Sequence, residues 1–168
     1  MNSLKLILFS LLLTSCAAVN GPWYAEVINT LPAIEKNEAR VFFFRCDHWY
    51  MKGRSAPINI DGKDTLSIKN NTFDYIDIEH GQHVFMTEIW DSPGKYVIEP
   101  NLMSGKEYFI EIIPRKELQK AQVNFGIIGL FAESGGSEKG GALALIPLEE
   151  KVAKGKLQNR VYHFSRIN

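Results

Sequence analysis

The sequence predicts an all-β fold, an antiparallel β-sandwich with a short C-terminal helix, and three observations predict it. Between Arg40 and Pro114 the chain divides into about seven short runs rich in β-branched, aliphatic and aromatic residues. Turn-forming residues separate those runs, among them Asp61-Gly62, His80-Gly81, Ser92-Pro93-Gly94 and Gly105-Lys106. Near the C-terminus, residues 149–158 have the composition of a short helix. Strands this short, at this spacing, pack as two sheets face to face.

Each element has its own reason. Residues 39–45 (ARVFFFR) are apolar on both faces, as expected of a central strand. Residues 51–56 form a loop, and 57–60 (PINI) form a strand that runs into the Asp61-Gly62 hairpin turn. A brief strand at 65–68 follows it and ends at a polar Lys69-Asn70-Asn71. Residues 72–78 (TFDYIDI) alternate, which makes Phe73, Tyr75, Ile76 and Ile78 core candidates. After His80-Gly81, residues 82–90 read as one long strand, followed by strands at 96–99 and 108–113, the last stopped by Pro114. The C-terminal third is less regular. Residues 115–122 suit a helical turn, 123–131 a strand or packed loop, and 142–146 a strand. Residues 133–141 (ESGGSEKGG) read as a loop without phosphate-binding context, because no Lys-Ser/Thr follows to open a helix. The helix at 149–158 is interrupted or ended by Gly155, and Tyr162, Phe164 and Ile167 can pair on a sheet edge.

Composition bounds the function. Nineteen basic and nineteen acidic residues balance, with no basic cluster, which argues against a nucleic-acid partner. Residues 1–16 (MNSLKLILFSLLLTSC) have the charged start, short apolar centre and small-residue exit of a signal peptide. The apolar run is well short of the ~20 residues a membrane span needs. Its ending, Leu13-Thr14-Ser15-Cys16, resembles the lipobox of bacterial lipoproteins. That resemblance implies cleavage between Ser15 and Cys16, a diacylglyceryl thioether on Cys16, and an acylated amino group. With Ala17 in place of an inner-membrane aspartate, it implies an outer-membrane anchor facing the periplasm. The organisation that follows is a signal peptide over 1–15, a lipidated cysteine and tether over 16–37, and a β-sandwich domain over 38–168. Only Cys46 is then left among the cysteines, so no intramolecular disulfide is expected and Cys46 is expected to be buried.

Four segments in the middle of the chain carry a family resemblance: 39–45 (ARVFFFR), 58–62 (INIDG), 80–84 (HGQHV) and 104–109 (SGKEYF). In this order, behind a lipobox, they resemble the DUF2846 family of bacterial lipoproteins over roughly residues 38–114. The resemblance implies a β-sandwich similar to prealbumin-type carboxypeptidase-regulatory or PEGA domains. It implies no particular activity. Two departures stand out: His80 occupies the place of a usual proline, and the chain extends past Pro114 as residues 115–168.

Each candidate site has a plain structural role beside the chemical one. His48, His80 and His83 suggest a metal or an envelope enzyme, but His80 and His83 sit at i and i+3 on a turn. Zinc needs three or four convergent ligands, so no metal is expected, and His83 is expected to bond its own turn. Cys46 and His48 suggest a thiol nucleophile, yet a cysteine following three phenylalanines is better read as buried. Asp61, Asp64, Asp74, Asp77 and Glu79 match no calcium loop and read as solvated acids. No nucleophile elbow, Walker loop or zinc-protease helix occurs, and no cofactor is implied. Exposed aromatics remain: Trp49 and Tyr50 beside Arg54, then Trp90 and Trp23. Aromatics and arginine concentrate at interaction hot spots, which makes Trp49, Tyr50 and Arg54 a candidate interaction surface.

The expected function is a non-catalytic, lipid-anchored β-sandwich whose partners are the bilayer, through Cys16, and an unknown envelope protein or small ligand. Two alternatives stay open. One is an enzyme or metal-binding protein using His48, His80 and His83. The other is a glycan-binding module using Trp49 and Tyr50, with their rings exposed along a groove.

Overall fold

A computed structural model describes residues 20–49, 51–90, 92, 94–115 and 140–167. The signal peptide, Cys16, Tyr50, most of the helical turn expected over 115–122, the apolar segment at 123–131 and most of the 133–141 loop lie outside the described residues. The elements are α1 (Tyr24–Ile28), β1 (Glu38–Phe44), β2 (Ala56–Ile60), β3 (Lys63–Ile68), β4 (Thr72–Glu79), β5 (Gly81–Gln82) and β6 (Phe85–Glu88). They continue with β7 (Lys95–Ile98), β8 (Asn101–Leu102), β9 (Glu107–Pro114), β10 (Leu143–Leu148), α2 (Glu150–Leu157) and β11 (Val161–Tyr162). The predicted all-β class with a short C-terminal helix is the class observed.

Five strands form one sheet in the order β10-β9-β1-β4-β11, and four form a second in the order β3-β2-β6-β7. β1 sits at the centre of the first sheet, as its two apolar faces predict. Val41 and Phe43 point into the core between the sheets, where they meet Ile58, Leu66, Phe85 and Ile112. Phe42 and Phe44 point the other way, into a second core with Tyr24, Phe73, Phe109, Ala153 and Leu157. There Phe42 stacks on Phe109 with ring centroids 5.1 Å apart, and Tyr24 meets Phe73 edge-on at 5.5 Å. The structure therefore has three layers: helices, then the five-stranded sheet, then the four-stranded sheet.

Several expectations need correction. The sandwich is not antiparallel throughout, since β1–β9 and β4–β11 pair in parallel. The chain leaves β1 for the second sheet, returns as β4, leaves again and re-enters as β9. Such long excursions permit parallel neighbours where a tight hairpin does not. The long strand expected over 82–90 is two strands in different sheets, because β5 pairs β8 while β6 joins β2 and β7. His83 marks the break: its N–H donates to the Pro100 carbonyl (3.0 Å), and its ring bonds outside the strand ladder. The tether assigned to 16–37 contains α1 in its described part, with Tyr24 and Val27 buried in the second core. Glu26 accepts the Trp23 N–H (2.8 Å) and closes the first turn of α1. Gly155 neither interrupts nor ends α2, which continues to Leu157 with Lys154 paired to Glu150 (2.7 Å).

The C-terminal segment straps both sheets together. β11 lies along β4, and residues 165–167 then cross to β3, with Ser67 N–H donating to the Ser165 carbonyl (2.9 Å) and Ile167 N–H to that of Thr65 (3.1 Å). The buried Asp74 carboxylate fixes this path by accepting from the Ser165 N–H (2.9 Å) and hydroxyl (2.8 Å). The strap covers the β3 edge, which otherwise presents unpaired backbone groups.

Candidate functional site

Alternation along β2 and β6 sorts their side chains between the two faces of the second sheet. Ala56, Ile58, Ile60, Phe85 and Thr87 face inward and are buried, which turns Pro57, Asn59, Met86 and Glu88 outward. The β2–β6 ladder is limited to Asn59–Met86 and Ile60–Phe85, although β2 reaches back to Ala56 and β6 on to Glu88. Pro57 has no N–H to extend that ladder. Where the pairing stops, a cleft of about 680 Å³ opens on the outer face of the sheet. Arg54, Ser55 and Pro57 form one flank, and Glu88, Ile89 and Trp90 the other. Asn59, Asp64 and Met86 complete it where the ladder closes.

Two local features shape the cleft. Register slips between Ile58 and Asn59, so that Ile58 faces Leu66 while Asn59 faces Asp64, which leaves Thr65 as an extra residue in β3. Such bulges re-aim side chains, and here Asn59 Nδ2 donates to Asp64 Oδ1 at 3.1 Å. Beyond β6, the Ser92 N–H donates to the Ile89 carbonyl (2.9 Å), which puts Trp90 on the corner of a turn. Its side chain is 93% exposed, so the indole contributes almost nothing to the core.

Arg45 positions the Arg54 side of the cleft. Its side chain is fully buried, and its guanidinium donates to the carbonyls of Arg54, Met51 (3.3 Å) and Ile68 (3.4 Å). Burial pulls the guanidinium down to about 10, because the groups around it are neutral carbonyls and not carboxylates. Arg40 gives the contrast. Its two hydrogen bonds to Asp77 (2.7 and 2.6 Å) keep it above the ordinary arginine value.

The residues predicted as an interaction surface divide. Arg54 lines the cleft, Trp49 is 85% exposed but is not among the lining residues, and Tyr50 lies outside the described residues. The rings of His80 and His83 are engaged separately. His80 Nδ1 faces the Asn37 carbonyl (3.0 Å), and His48 donates its backbone N–H to Asn70 Oδ1 (3.2 Å). His83 Nδ1 bonds Asp61 Oδ2 (2.7 Å), with Nε2 facing the Glu79 carbonyl (2.8 Å). Among the described residues, no three His, Cys, Asp or Glu side chains converge on a metal position. Asp61 is more than a solvated acid. Burial pushes its carboxyl up, but the Val84 N–H and the His83 ring together bring it below the usual range. Cys46 is half-buried, and burial, followed by the nearby Glu111 carboxylate, pushes its thiol up, away from the thiolate a nucleophile needs.

Sequence reasoning passed over Asn59, Met86 and Glu88 and read Asp64 as a solvated acid. The signal was available in Pro57, since a proline inside a strand marks a place where one neighbour is unpaired. Fold and cleft together define a β-sandwich with an open, polar-rimmed cleft on one sheet face. Comparison with protein families, curated proteins and solved structures gives no match for the chain.

Proposed function

We propose that this protein is a lipid-anchored, non-catalytic binding module of the bacterial cell envelope. In this reading acylated Cys16 holds it on the outer membrane facing the periplasm, and the cleft between Arg54 and Trp90 takes up a ligand or partner. The cleft carries the reading. It is concave, of ligand size, and lined by apolar groups with a few convergent polar ones, the usual character of a binding site. Among the described residues its lining includes neither histidine nor cysteine, and the Cys46 thiol lies outside it with its ionisation opposed. The anchor rests on residues 1–16 and their likeness to a lipobox, and the resemblance to DUF2846 lipoproteins rests on the four segments quoted for it alone.

Two measurements test this. Mass spectrometry of the N-terminus from cells is expected to find a chain beginning at acylated Cys16, and an uncut chain with unmodified Cys16 overturns the anchor and the location. Photo-crosslinking from position 54 or 90 in intact cells is expected to capture a partner that position 36, exposed ahead of β1, does not. Identical capture from all three positions overturns the cleft as the binding face.

A further inference from the structure

We infer that the occupant of the cleft is an uncharged oligosaccharide, with one sugar ring lying flat on the Trp90 indole. The inference rests on the reading of this cleft as the binding face. Four observations carry it.

A sugar presents C–H groups on its flat faces and hydroxyls, each both donor and acceptor, around its rim. The Trp90 ring is 93% exposed on a turn corner, available to stack and not required by the core. The polar lining mixes the two hydrogen-bonding senses: Arg54 only donates, the Asp64 and Glu88 carboxylates accept, and Asn59 and Ser55 do both. Charge disfavours an anionic ligand, because the two carboxylates of the described lining outnumber its one guanidinium. The fourth observation disfavours an extended peptide. A peptide added as a strand needs backbone donors along β2, and Pro57 supplies none where β6 has separated. The bulge at Asn59 serves the same end, because it brings Asn59 and Asp64 together as one bonded pair at the cleft wall.

Titration calorimetry of the full mature chain in detergent tests the inference, with two probes: the β-1,4-linked tetrasaccharides of N-acetylglucosamine and of glucose. Saturable binding of at least one is expected, weakened tenfold or more by Trp90→Ala and several-fold by Asn59→Ala, and unchanged by Trp49→Ala. Trp90→Ala removes an almost fully exposed side chain, so its circular dichroism and unfolding midpoint should match wild type. Absence of heat with both sugars overturns the saccharide. Binding that survives Trp90→Ala overturns the placement. If crosslinking from positions 54 and 90 stays cleft-specific while neither sugar binds, the saccharide inference fails and the binding-face reading stands. Shorter sugars released during the titration would support the saccharide and overturn the non-catalytic reading.

Discussion

Arg45→Met removes a buried cation and its three carbonyl contacts in one step, and the two effects have opposite signs. Burial brings the guanidinium down to about 10 from the ordinary arginine value. At about 1.4 kcal/mol per tenfold change, holding that charge inside costs about 3 kcal/mol at pH 7, and methionine relieves the cost. The sign is fixed by protonation. Arginine is charged in both states at pH 7, a depressed folded value means that the fold opposes the charge, and that opposition lifts only above about pH 10. Against it stand hydrogen bonds from a charged donor, worth about 1.5–3 kcal/mol each at good geometry. The bond to the Arg54 carbonyl counts in full, while those to Met51 and Ile68, at 3.3 and 3.4 Å, are stretched and count for about 1 kcal/mol each. Together they contribute about 4–5 kcal/mol, so Arg45→Met should destabilise by about 1–2 kcal/mol. Arg45→Lys should be worse, by about 3 kcal/mol or more, because it keeps the desolvated charge while a single ammonium cannot span the three carbonyls. Urea unfolding at pH 7, followed by fluorescence and circular dichroism with unchanged slopes, measures the order wild type, Met, Lys. A lysine variant as stable as the methionine variant, or a methionine variant more stable than wild type, refutes the reasoning.

Further outcomes follow from the same geometry. Asp61 is held below the usual carboxylate range, so its contribution is present above that range and lost as the pH falls through the folded value. The stability gap between wild type and Asp61→Asn should therefore close in acid, and a gap constant with pH in chemical unfolding would contradict it. Ser165→Ala removes one of the two bonds from Ser165 to Asp74 and should cost about 1–2 kcal/mol. Asp74→Ala strands both donors and should cost about 3 kcal/mol or more, with hydrogen exchange at 165–167 rising before the rest of the domain. Cys46 should react with iodoacetamide at least tenfold more slowly in the folded than in the urea-unfolded chain at pH 8, since burial and then Glu111 disfavour its thiolate. Equal rates would place the thiol in water.

The fold was legible wherever one strong local rule decided the outcome. Asp61-Gly62 makes the expected hairpin with both residues at positive φ, and the doubly apolar 39–45 run became the centre of a sheet. Misreadings arose where tertiary partners decide. The pattern of 82–90 is continuous, yet His83 and Val84 bond Asp61 across the structure and split it between sheets. Residues 20–37 look like a linker because α1 is one short turn, and only its packing against Phe42 and Phe73 makes it part of the domain. The parallel placement of β9 and β11 depends on chain routing that no local pattern encodes. At the candidate site Arg54 was legible from its company, and Trp90 from its chemistry alone. The remaining lining residues come together only through a register slip and a ladder that stops early.

Why the cleft lies on the four-stranded sheet follows from the burial of β1. Its phenylalanines supply two cores, so the five-stranded sheet is covered on one face by its partner sheet and on the other by α1 and α2. That burial leaves this sheet a smaller cleft, of about 500 Å³, where β9 and β10 meet α2. Among the described residues, the strands β2 and β6 of the four-stranded sheet bury one face, and their outward residues Pro57, Asn59 and Met86 are half-buried and Glu88 exposed. Where the β2–β6 ladder stops, polar side chains collect beside an exposed indole. Restoring a donor tests the link between backbone and cleft. Pro57→Val supplies the missing N–H with a side chain that suits a strand. It should extend the β2–β6 ladder toward Ala56 and narrow the cleft, detected as slowed exchange of the amide at position 57. Binding at Trp90 should weaken although no lining polar group has changed. Unaltered binding alongside a protected amide would separate the cleft from the interrupted ladder.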